Sequence, residues 1–341
     1  MGLLSLADAD HLLTSTAIRA PAIRIAQDGS VLPESRFTRG GSLAGEPLTG
    51  LVDPRKALRL FDGGATIVFQ GLQRYWQPLG DLVAELELEL GHPCQANAYL
   101  TPPGSQGFAV HSDSHDVFVF QTHGRKQWEV HGEAGAEDVL LEPGVSMYLP
   151  TGTPHAARAQ DTASLHVTIG INQLTWRDLV ETAVRRVLAD VPAAHLPAGY
   201  LDDPEVADRL HAHLTEVARG VEAIDPAEVV AERARSFLTS RSPRLAGGLR
   251  DTLAARELDD TTVLRRRTGH PCELLPTAED RMVVLLGDRE LEVPAWLEPA
   301  LQQVRDRDRL RPADLADVLD PTSRLVLCRR LVREGLLEVV D

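Results

Sequence analysis

The chain has 341 residues, of which 43% are hydrophobic and 25% are charged, and its formal net charge at pH 7 is -15. This is the composition of an ordinary globular protein and excludes long disordered tracts. The acidic balance disfavours sequence-independent nucleic-acid binding, which requires a basic face for the phosphates, and suits a basic partner better.

The cysteines and the first residues bear on the compartment. Cys94, Cys272 and Cys328 lie far apart and are odd in number, so they favour neither a disulfide framework nor a zinc knuckle. Residues 1–13 carry acidic side chains and only a short apolar run, which predicts neither a signal peptide nor a membrane span. We therefore expect a cytoplasmic protein without a membrane partner.

Residues from about 20 to 172 predict an antiparallel β domain. Short apolar or alternating runs are separated there by Gly, Pro and Asp turns, as is typical of a barrel or sandwich. The clearest predicted strands are residues 65–70, 95–101, 117–121, 125–131, 145–150 and 164–171. A predicted helix over 72–90 interrupts them, and Pro78 marks either a kink or its true start.

A domain boundary is predicted after Asn172, where the pattern becomes helical. A capping box at 175–178 begins one helix, and Asp-Pro pairs at 203–204 and 225–226 begin two more. The second of these three helices has an apolar stripe of Val206, Leu210, Leu214, Val217 and Val221. We expect residues 174–262 to form a small helical bundle or a helical dimerisation segment, and in the second case a homodimer.

The last segment, residues 263–341, combines a hairpin with helices. The hairpin is predicted from 282–286 and 289–293, and the helices from 295–307, 312–319 and 322–334. Helices with a two-stranded ribbon are typical of a winged-helix module. Its arginines are accompanied by acidic residues, so we expect a solvated helix face rather than DNA binding.

Two runs carry candidate metal ligands. His111 and Asp113 are two residues apart, so on a strand they project from one face and can share one metal ion. The run 144–155 has the Gly, Pro, Gly and His spacing of the second cupin motif and ends in His155. Two histidines and one carboxylate occupy one face of an octahedral ion and leave three positions open. We predict a metal site formed by His111, Asp113 and His155.

The first cupin motif is incomplete in this chain. The archetype has His-x-His followed by Glu, whereas here Asp113 replaces the second histidine and an apolar residue stands near the position of Glu. Three protein ligands favour the open site of an oxygenase over the enclosed site of cupin isomerases or seed-storage proteins. His115 is the rival ligand because it would share the face of His111, while His166 is expected to be packed or hydrogen-bonded.

Lys126 follows the turn at Gly124 and shares one predicted strand face with Trp128 and Val130. Burial of an unpaired ammonium is costly, so the site should hold an anion, for which the distal carboxylate of 2-oxoglutarate is suitable. The alternative is a lysine whose stem packs on the domain while its head reaches water.

Together these residues resemble the JmjC-type 2-oxoglutarate oxygenases, specifically the ribosomal oxygenase branch. The resembling stretches are 97–108, 111–113, 124–128, 144–155 and 164–168. The resemblance implies a mainly β catalytic domain with the cupin-type double-stranded β-helix fold over residues 1–173. The predicted order of a JmjC domain, a helical dimerisation segment and a winged helix extends it over nearly the whole chain.

The resemblance also implies roles. The three predicted metal ligands would bind Fe(II), and Lys126 would bind the distal carboxylate of 2-oxoglutarate. Three further residues match positions that line the 2-oxoglutarate pocket: Asn97, Tyr99 and Thr168. The implied reaction consumes 2-oxoglutarate and O2, forms succinate and carbon dioxide, and hydroxylates a protein or peptide side chain, with a ribosomal protein as the implied substrate.

Other functions stay open at the level of sequence. A regulator could combine a ligand-sensing cupin domain with a DNA-binding winged helix, and a cupin enzyme could work without a 2-oxoacid. Demethylation, a small peptide natural product as the acceptor, and Mn(II), Co(II) or Ni(II) in place of iron are further alternatives.

Overall fold

The structure is a computed structural model and describes residues 2–106, 108–133, 135–277 and 280–340. The chain folds into two compact units, Met1–Gln173 and Leu174–Asp341. No helix within the described ranges is both long enough and apolar enough to cross a membrane.

The N-terminal unit is mainly β. Its strands are β1 (Ile23–Gln27), β2 (Ser30–Val31), β3 (Thr38–Leu43), β4 (Glu46–Val52), β5 (Thr66–Phe69), β6 (Cys94–Thr101), β7 (Asp116–His123), β8 (Lys126–Gly132), β9 (Gly135–Leu141), β10 (Ser146–Leu149), β11 (His155–Ala159) and β12 (Ser164–Ile171). Its helices are α1 (Leu6–Ser15), α2 (Pro54–Asp62) and α3 (Gln77–Leu90). Every predicted strand is confirmed to within two residues at each end, whereas α1, α2 and the strands β1 to β4, β9 and β11 were not individually predicted.

Two antiparallel sheets face each other across a cavity. The larger sheet has the strand order β10-β7-β12-β6-β5-β1-β2, and the smaller has the order β11-β8-β9. Buried Val119 and Leu149 of the larger sheet belong to the same apolar cluster as Trp128 and Leu141 of the smaller sheet. This arrangement is the double-stranded β-helix that the sequence predicts.

Alternate residues of the larger sheet face opposite sides. On the side covered by the helices, Ile25, Ile67 and Ile169 are fully buried in the main core. On the other side, the strand register aligns a row of five residues in the order Arg24, Val68, Tyr99, His166 and Gln121. Three members of this row, Arg24, Tyr99 and His166, line the cavity.

The helix α3 resolves the two possibilities for Pro78. Residues Leu72–Arg74 form a separate 3-10 turn, and α3 begins at Gln77 with Pro78 in its first turn. Proline fits that position because its missing N–H would have no partner there. The helix ends at Gly91, whose φ of +68° closes the last turn. Pro78 therefore marks the start of the helix and not a kink.

The C-terminal unit contains six helices and six strands among the described residues. The helices are α4 (Trp176–Ala189), α5 (Glu205–Glu222), α6 (Pro226–Thr239), α7 (Gly248–Ala254), α8 (Glu298–Asp306) and α9 (Pro321–Arg333). The strands are β13 (Leu264–Arg266), β14 (Glu273–Pro276), β15 (Arg281–Leu285), β16 (Glu290–Pro294), β17 (Arg309–Leu310) and β18 (Leu337–Val339). They form two antiparallel sheets in the orders β17-β13-β18 and β14-β15-β16.

Two of the three predicted helix starts are confirmed, and the third is shifted by one residue, since α5 begins at Glu205 and Oδ1 of Asp203 accepts from the N–H of Glu205 at 2.9 Å. Thr175 and Asp178 form a reciprocal capping box, and Asp225 accepts a hydrogen bond from the N–H of Ala227. The predicted hairpin is also confirmed, with Met282 opposite Val293.

Two predicted C-terminal helices differ from the structure. The predicted helix over 295–307 opens with a 3-10 turn, Ala295–Leu297, before α8. The predicted helix over 312–319 is a 3-10 turn, Pro312–Leu315. Its hydrogen bonds join residues three apart, such as the bond from the N–H of Asp314 to the carbonyl of Arg311. Hydrogen bonds of this type have poorer geometry than those of an α-helix, so such segments are short.

Candidate metal and co-substrate site

His111, Asp113 and His155 come together at the cavity. One potential ligand atom from each lies within 4.8 Å of those from the other two, and no other such group of His, Cys, Asp or Glu occurs in the described part of the chain. The Nε2 atom of His155 is 3.7 Å from Oδ2 of Asp113. The centroids of the two histidine rings are 4.5 Å apart. The chain thus places the three predicted ligands around one point.

The backbone brings the two histidines opposite each other. His111 and His155 form an isolated antiparallel bridge, in which the N–H of each donates to the carbonyl of the other, at 3.1 and 2.8 Å. The carbonyl of Asp113 then accepts from the N–H of Gly152 at 2.9 Å. The expectation of a regular strand through His111 and Asp113 is therefore wrong, because the chain leaves the ladder after one bridge and Asp113 reaches the site from a loop.

Both histidine rings are oriented by their Nδ1 atoms. Nδ1 of His111 is 2.9 Å from the carbonyl of Ala109, and Nδ1 of His155 is 2.9 Å from the carbonyl of Thr153. A carbonyl accepts only, so Nδ1 carries the proton and Nε2 keeps its lone pair for a metal. Burial is the main cause that lowers the pKa of His155, which favours the neutral imidazole that binds metals.

The donor set fits a divalent transition metal. Two imidazole nitrogens and one carboxylate are the ligands of non-haem Fe(II) sites with open positions. His115 is not part of the group: it packs against Gly170, where a Cβ atom would lie 2.6 Å from its Nε2. The prediction that preferred Asp113 over His115 is consistent with this geometry.

Lys126 lies in the same cavity and is buried, with 3% of its surface exposed. Its Nζ donates to Oγ1 of Thr101 at 3.0 Å, and Oγ1 of Thr66 donates to the same oxygen at 3.1 Å. Within the described residues no carboxylate pairs with this ammonium, and burial lowers its pKa to about 7. The buried environment excludes the alternative of a lysine that reaches water.

The use of lysine at position 126 is itself informative. Only Lys56 and Lys126 are lysines among the 35 basic residues, and all others are arginine. Trp128 on the same strand face is also buried, whereas Glu129 on the opposite face is exposed, as the alternation predicts. A chain that uses arginine almost everywhere retains a lysine at a buried position, where a lysine can lose its charge but an arginine cannot.

Asn97, Tyr99 and Thr168 all line the cavity, which has a volume of about 660 Å³. The Tyr99 hydroxyl is hydrogen-bonded to the side chain of Thr168, and burial raises the pKa of Tyr99, so it stays a phenol. Oδ1 of Asn97 accepts from the N–H of Gly71 at 3.0 Å. The three residues predicted beside the co-substrate are therefore neighbours, and one of them also fixes the loop at Gly71.

His166 was predicted to be either packed or hydrogen-bonded, and in the structure its ring is packed. Its ring is stacked on Tyr99 with centroids 4.9 Å apart and lies edge-on to Trp128 at 5.3 Å. Its Nδ1 is buried without a hydrogen-bond partner among the described residues. Burial is the largest cause that lowers the pKa of His166 well below its usual value, so the ring is neutral.

Sequence reasoning missed several cavity residues. Thr101, Arg24, Arg74 and Phe108 were not singled out, although Thr101 contacts Lys126 and the other three line the cavity. A signal existed for Arg24, which stands between Ile23 and Ile25 in the pattern of a half-buried strand. Its position beside the site depends on strand pairing and could not be read from that pattern.

Comparison with known proteins supports the resemblance. The model of the JmjC domain matches residues 73–137 and 132–179. Over 161 residues the chain is 40% identical to the bifunctional lysine-specific demethylase and histidyl-hydroxylase NO66 of Branchiostoma floridae, covering 45% of this chain and 26% of that protein. It is 32% identical over 204 residues to human ribosomal oxygenase 1, covering 53% of this chain and 30% of that protein. The chain thus spans less than a third of the length of these two curated relatives.

Solved structures show the same fold over the whole chain. The Escherichia coli ribosomal oxygenase YcfD matches with a TM-score of 0.55 and 21% identity, covering 100% of this chain and 91% of that one. YcfD in complex with cobalt and 2-oxoglutarate matches with a TM-score of 0.54, 20% identity and 92% coverage of that chain. The predicted resemblance to JmjC-type ribosomal oxygenases is confirmed, and the segment that carries the site is similar to the JmjC domain and has a cupin-like, mainly β fold.

Proposed function

We propose that this chain is an Fe(II)- and 2-oxoglutarate-dependent oxygenase that hydroxylates a side chain of a protein, with a ribosomal protein as the substrate. One observation carries the proposal. The open His111, Asp113 and His155 group shares a cavity with Lys126, a buried cation that no carboxylate of the described chain neutralises. A divalent metal at one end and a cation at the other match the two carboxylates of a short dicarboxylic 2-oxoacid.

The residues of the chain have distinct roles in this proposal. His111, Asp113 and His155 hold the metal, which when bound supplies the oxygen chemistry. Lys126 binds the distal carboxylate, and the hydroxyl of Thr101 orients its Nζ. Tyr99 and Thr168 line the space between these ends with their mutual hydrogen bond. Apolar Val119, Leu149 and Trp128 exclude water from this part of the cavity, which strengthens the charge contacts.

The relatives support the substrate class. Two curated relatives are named ribosomal oxygenase or histidyl-hydroxylase, and the structural relative YcfD is a ribosomal oxygenase solved with cobalt and 2-oxoglutarate. The net charge of -15 suits a basic ribosomal protein.

We further propose that residues 174–262 form a dimerisation segment and that the protein is a homodimer. Large apolar side chains on α4 and α5 are exposed in the single chain, including Trp176 (84%), Leu210 (56%) and Leu214 (57%). Exposed apolar helix faces of this kind are typical of protein interfaces. Sedimentation velocity on the full chain, compared with Leu210→Glu, tests this proposal.

For residues 263–341 we propose a winged-helix module that does not read DNA. The order α8, β17, the 3-10 turn, α9 and β18, with β13 completing a three-stranded sheet, supports the module. Two arginines of α9 are already ion-paired, Arg324 with Asp260 and Arg330 with Glu334. We also keep the cytoplasm as the proposed compartment, since the three cysteines are buried and form no disulfide within the described residues.

The enzymatic proposal is tested by succinate release from 2-oxoglutarate under air with Fe(II) and ascorbate, in the presence of ribosomal proteins. The variants are His111→Ala and Lys126→Ala. Each has a matched control with the same substitution outside the cavity: His123→Ala, at the exposed end of β7, and Lys56→Ala, whose Nζ donates to the carbonyl of Thr38.

We expect turnover to vanish in His111→Ala and to require much more 2-oxoglutarate in Lys126→Ala, while both controls match the unmodified chain. If Lys126→Ala retains an unchanged requirement for 2-oxoglutarate, the co-substrate assignment is wrong. If the Mn(II)-loaded protein binds no 2-oxoglutarate at all, the function is that of a cupin protein without a 2-oxoacid.

A further inference from the structure

Asp113 is the one predicted metal ligand that lies in neither a strand nor a bridge of the described chain. His155 is the first residue of β11, where it pairs with Val130 of β8, and it also bridges to His111. The backbone of Asp113 is tied down differently, because its carbonyl accepts from the N–H of Gly152 in the turn that precedes His155. The position of Asp113 therefore depends on how firmly its loop and this turn are held together.

Asp116, the first residue of β7, connects the same loop and turn through its side chain. Its Oδ1 accepts from the N–H of Thr151 at 2.7 Å and from the hydroxyl of Thr151 at 2.8 Å. Its Oδ2 accepts a hydrogen bond from the hydroxyl of Tyr148. The last backbone pair between β7 and β10 is that of Val117 with Leu149. The carboxylate of Asp116 therefore extends the contact between the two segments beyond the end of their ladder.

These contacts form a closed ring. Asp116 holds Thr151, and the next residue, Gly152, donates to the carbonyl of Asp113 at 2.9 Å. The short backbone segment from Asp113 to Asp116 closes the ring. Burial would raise the pKa of Asp116, but hydrogen bonds, of which that from Tyr148 is the strongest, lower this pKa to about 2. The acceptor is therefore charged near neutral pH, and hydrogen bonds to a charged acceptor are the stronger kind.

We infer that Asp116 is a positioning residue for the metal site: it holds the loop of residues 112–115 against the turn of residues 150–154 and so keeps the carboxylate of Asp113 beside the two histidines. This inference rests on the proposed function, because it concerns the metal that the three ligands bind there. Residues that orient metal ligands without touching the ion typically change metal affinity by about 10- to 100-fold when they are replaced. Asp116 acts on the metal only through Asp113.

The test measures the affinity of the full chain for Mn(II), by electron paramagnetic resonance of the free ion, together with the urea midpoint. Asp116→Ala removes the hydrogen bonds to Thr151 and Tyr148, and we expect the dissociation constant for Mn(II) to rise by about 10- to 30-fold. Asp116→Asn keeps an oxygen for Thr151 and offers an N–H to the hydroxyl oxygen of Tyr148. It should therefore restore the affinity to within about threefold of the unmodified chain.

The matched control is Asp53→Ala, in the same unit. Asp53 also accepts two backbone hydrogen bonds, from Arg55 and Lys56 at the start of α2, but it does not line the cavity. Its replacement should lower the urea midpoint and leave the affinity for Mn(II) unchanged. A second variant, Thr151→Val, removes only the hydroxyl donor and should raise the dissociation constant by about three- to tenfold. It keeps the test valid if Asp116→Ala does not fold.

A double-mutant cycle separates the positioning of Asp113 from a general effect on the site. In an Asp113→Ala background there is no carboxylate left to position, so adding Asp116→Ala should raise the dissociation constant by no more than about twofold. A further loss as large as that in the unmodified background would overturn the inference. It is also overturned if neither Asp116→Ala nor Thr151→Val weakens the binding of Mn(II), or if Asp116→Asn binds as weakly as Asp116→Ala.

Calorimetry with 2-oxoglutarate on the same Mn(II)-loaded samples tests the proposed function separately. Absence of 2-oxoglutarate binding in the unmodified chain refutes the proposed function, while the expected losses of Mn(II) affinity would still support the role of Asp116. Normal binding of 2-oxoglutarate, with a Mn(II) affinity that Asp116→Ala and Thr151→Val leave unchanged, refutes only the positioning role.

Discussion

The helix-covered face and the cavity face of the seven-stranded sheet are built from alternate residues of the same strands. On the helix side, Ile25, Phe69 and Ile169 have no exposed surface and belong to one apolar core. On the cavity side, their sequence neighbours include Arg24 and Thr168, which are polar and line a space of about 660 Å³. A period of two residues thus separates two environments that differ in polarity, packing and solvent access.

The two faces contribute differently to the stability of the domain: the helix-covered face stabilises it, and the cavity face destabilises it. Buried apolar residues on the helix side each contribute favourably, by about 1.5–3 kcal/mol for a large side chain. The cavity side instead holds polar atoms without partners within the described residues, such as Nδ1 of His166 and Nε of Arg24. Such atoms are costly in the empty protein and become useful when a ligand pairs with them. Substitutions on the two faces should therefore separate stability from ligand affinity.

The largest effect is expected from Phe69→Ala on the helix side. Phe69 is fully buried, so the substitution leaves a cavity and should lower the free energy of unfolding by about 3–5 kcal/mol. Urea denaturation measures the change. The affinity of the surviving folded protein for 2-oxoglutarate should stay the same, and a parallel loss of affinity would contradict the separation of the two faces.

Lys126→Met should instead raise the free energy of unfolding. Burial lowers the pKa of Lys126 from 10.5 to about 7, so the folded state holds this proton less well than the unfolded state. The resulting penalty is fully present below about pH 7, decreases as pH rises, and is gone above the unfolded pKa. We expect the variant to be more stable at pH 6.5 by roughly 3 kcal/mol, an order-of-magnitude figure.

The control is the same comparison at pH 9.5, where the advantage of Lys126→Met should be smaller. Lys56→Met serves as the matched substitution at a lysine that does not line the cavity. Thermal unfolding with 2-oxoglutarate and Mn(II) completes the test, because the co-substrate should stabilise the unmodified chain and not the variant. A variant that is destabilised at every pH would show that Lys126 is paired in the folded protein.

Asp113→Ala should have the next largest effect. Removal of one of three protein ligands should raise the dissociation constant for Mn(II) by about 100-fold, with little change in the urea midpoint because Asp113 is partly exposed. Electron paramagnetic resonance of free Mn(II) measures the affinity. His115→Ala is the matched control for the rival ligand, and an equal loss of affinity there would mean that His115 belongs to the metal site.

The smallest expected effect is the pH dependence of 2-oxoglutarate binding. A carboxylate beside Lys126 favours its charged form, so binding requires a proton at pH values above about 7. Affinity should fall between pH 7 and 9 by no more than about tenfold per unit. Calorimetry at pH 8 in two buffers of different ionisation enthalpy should detect the uptake of close to one proton. Uptake that persists in Lys126→Met would assign the proton to another group.

The sequence alone predicted the main residues that the structure brings together at the candidate site. The two-residue spacing of His111 and Asp113, the Gly and Pro turn before His155 and the strand face of Lys126 are local features, so they survive without knowledge of the fold. The cap Thr175 was predicted for the same reason, since a helix cap depends on a few neighbouring residues, whereas Pro78 left a kink and a helix start as open alternatives. The resemblance then connected these separate motifs into one site.

Only the tertiary structure decided which other residues meet that site. Arg24 lies on β1, far from His111 in sequence, and reaches the cavity because β1 pairs with β5 and β5 with β6. Thr101 meets Lys126 across two sheets, and His115 lines the cavity without joining the group of three ligands, because its ring packs against Gly170. Strand order and register arise from contacts between distant segments of the chain. The two-residue alternation of a strand shows which side chains lie on the same side of it, but not which other residues lie on that side.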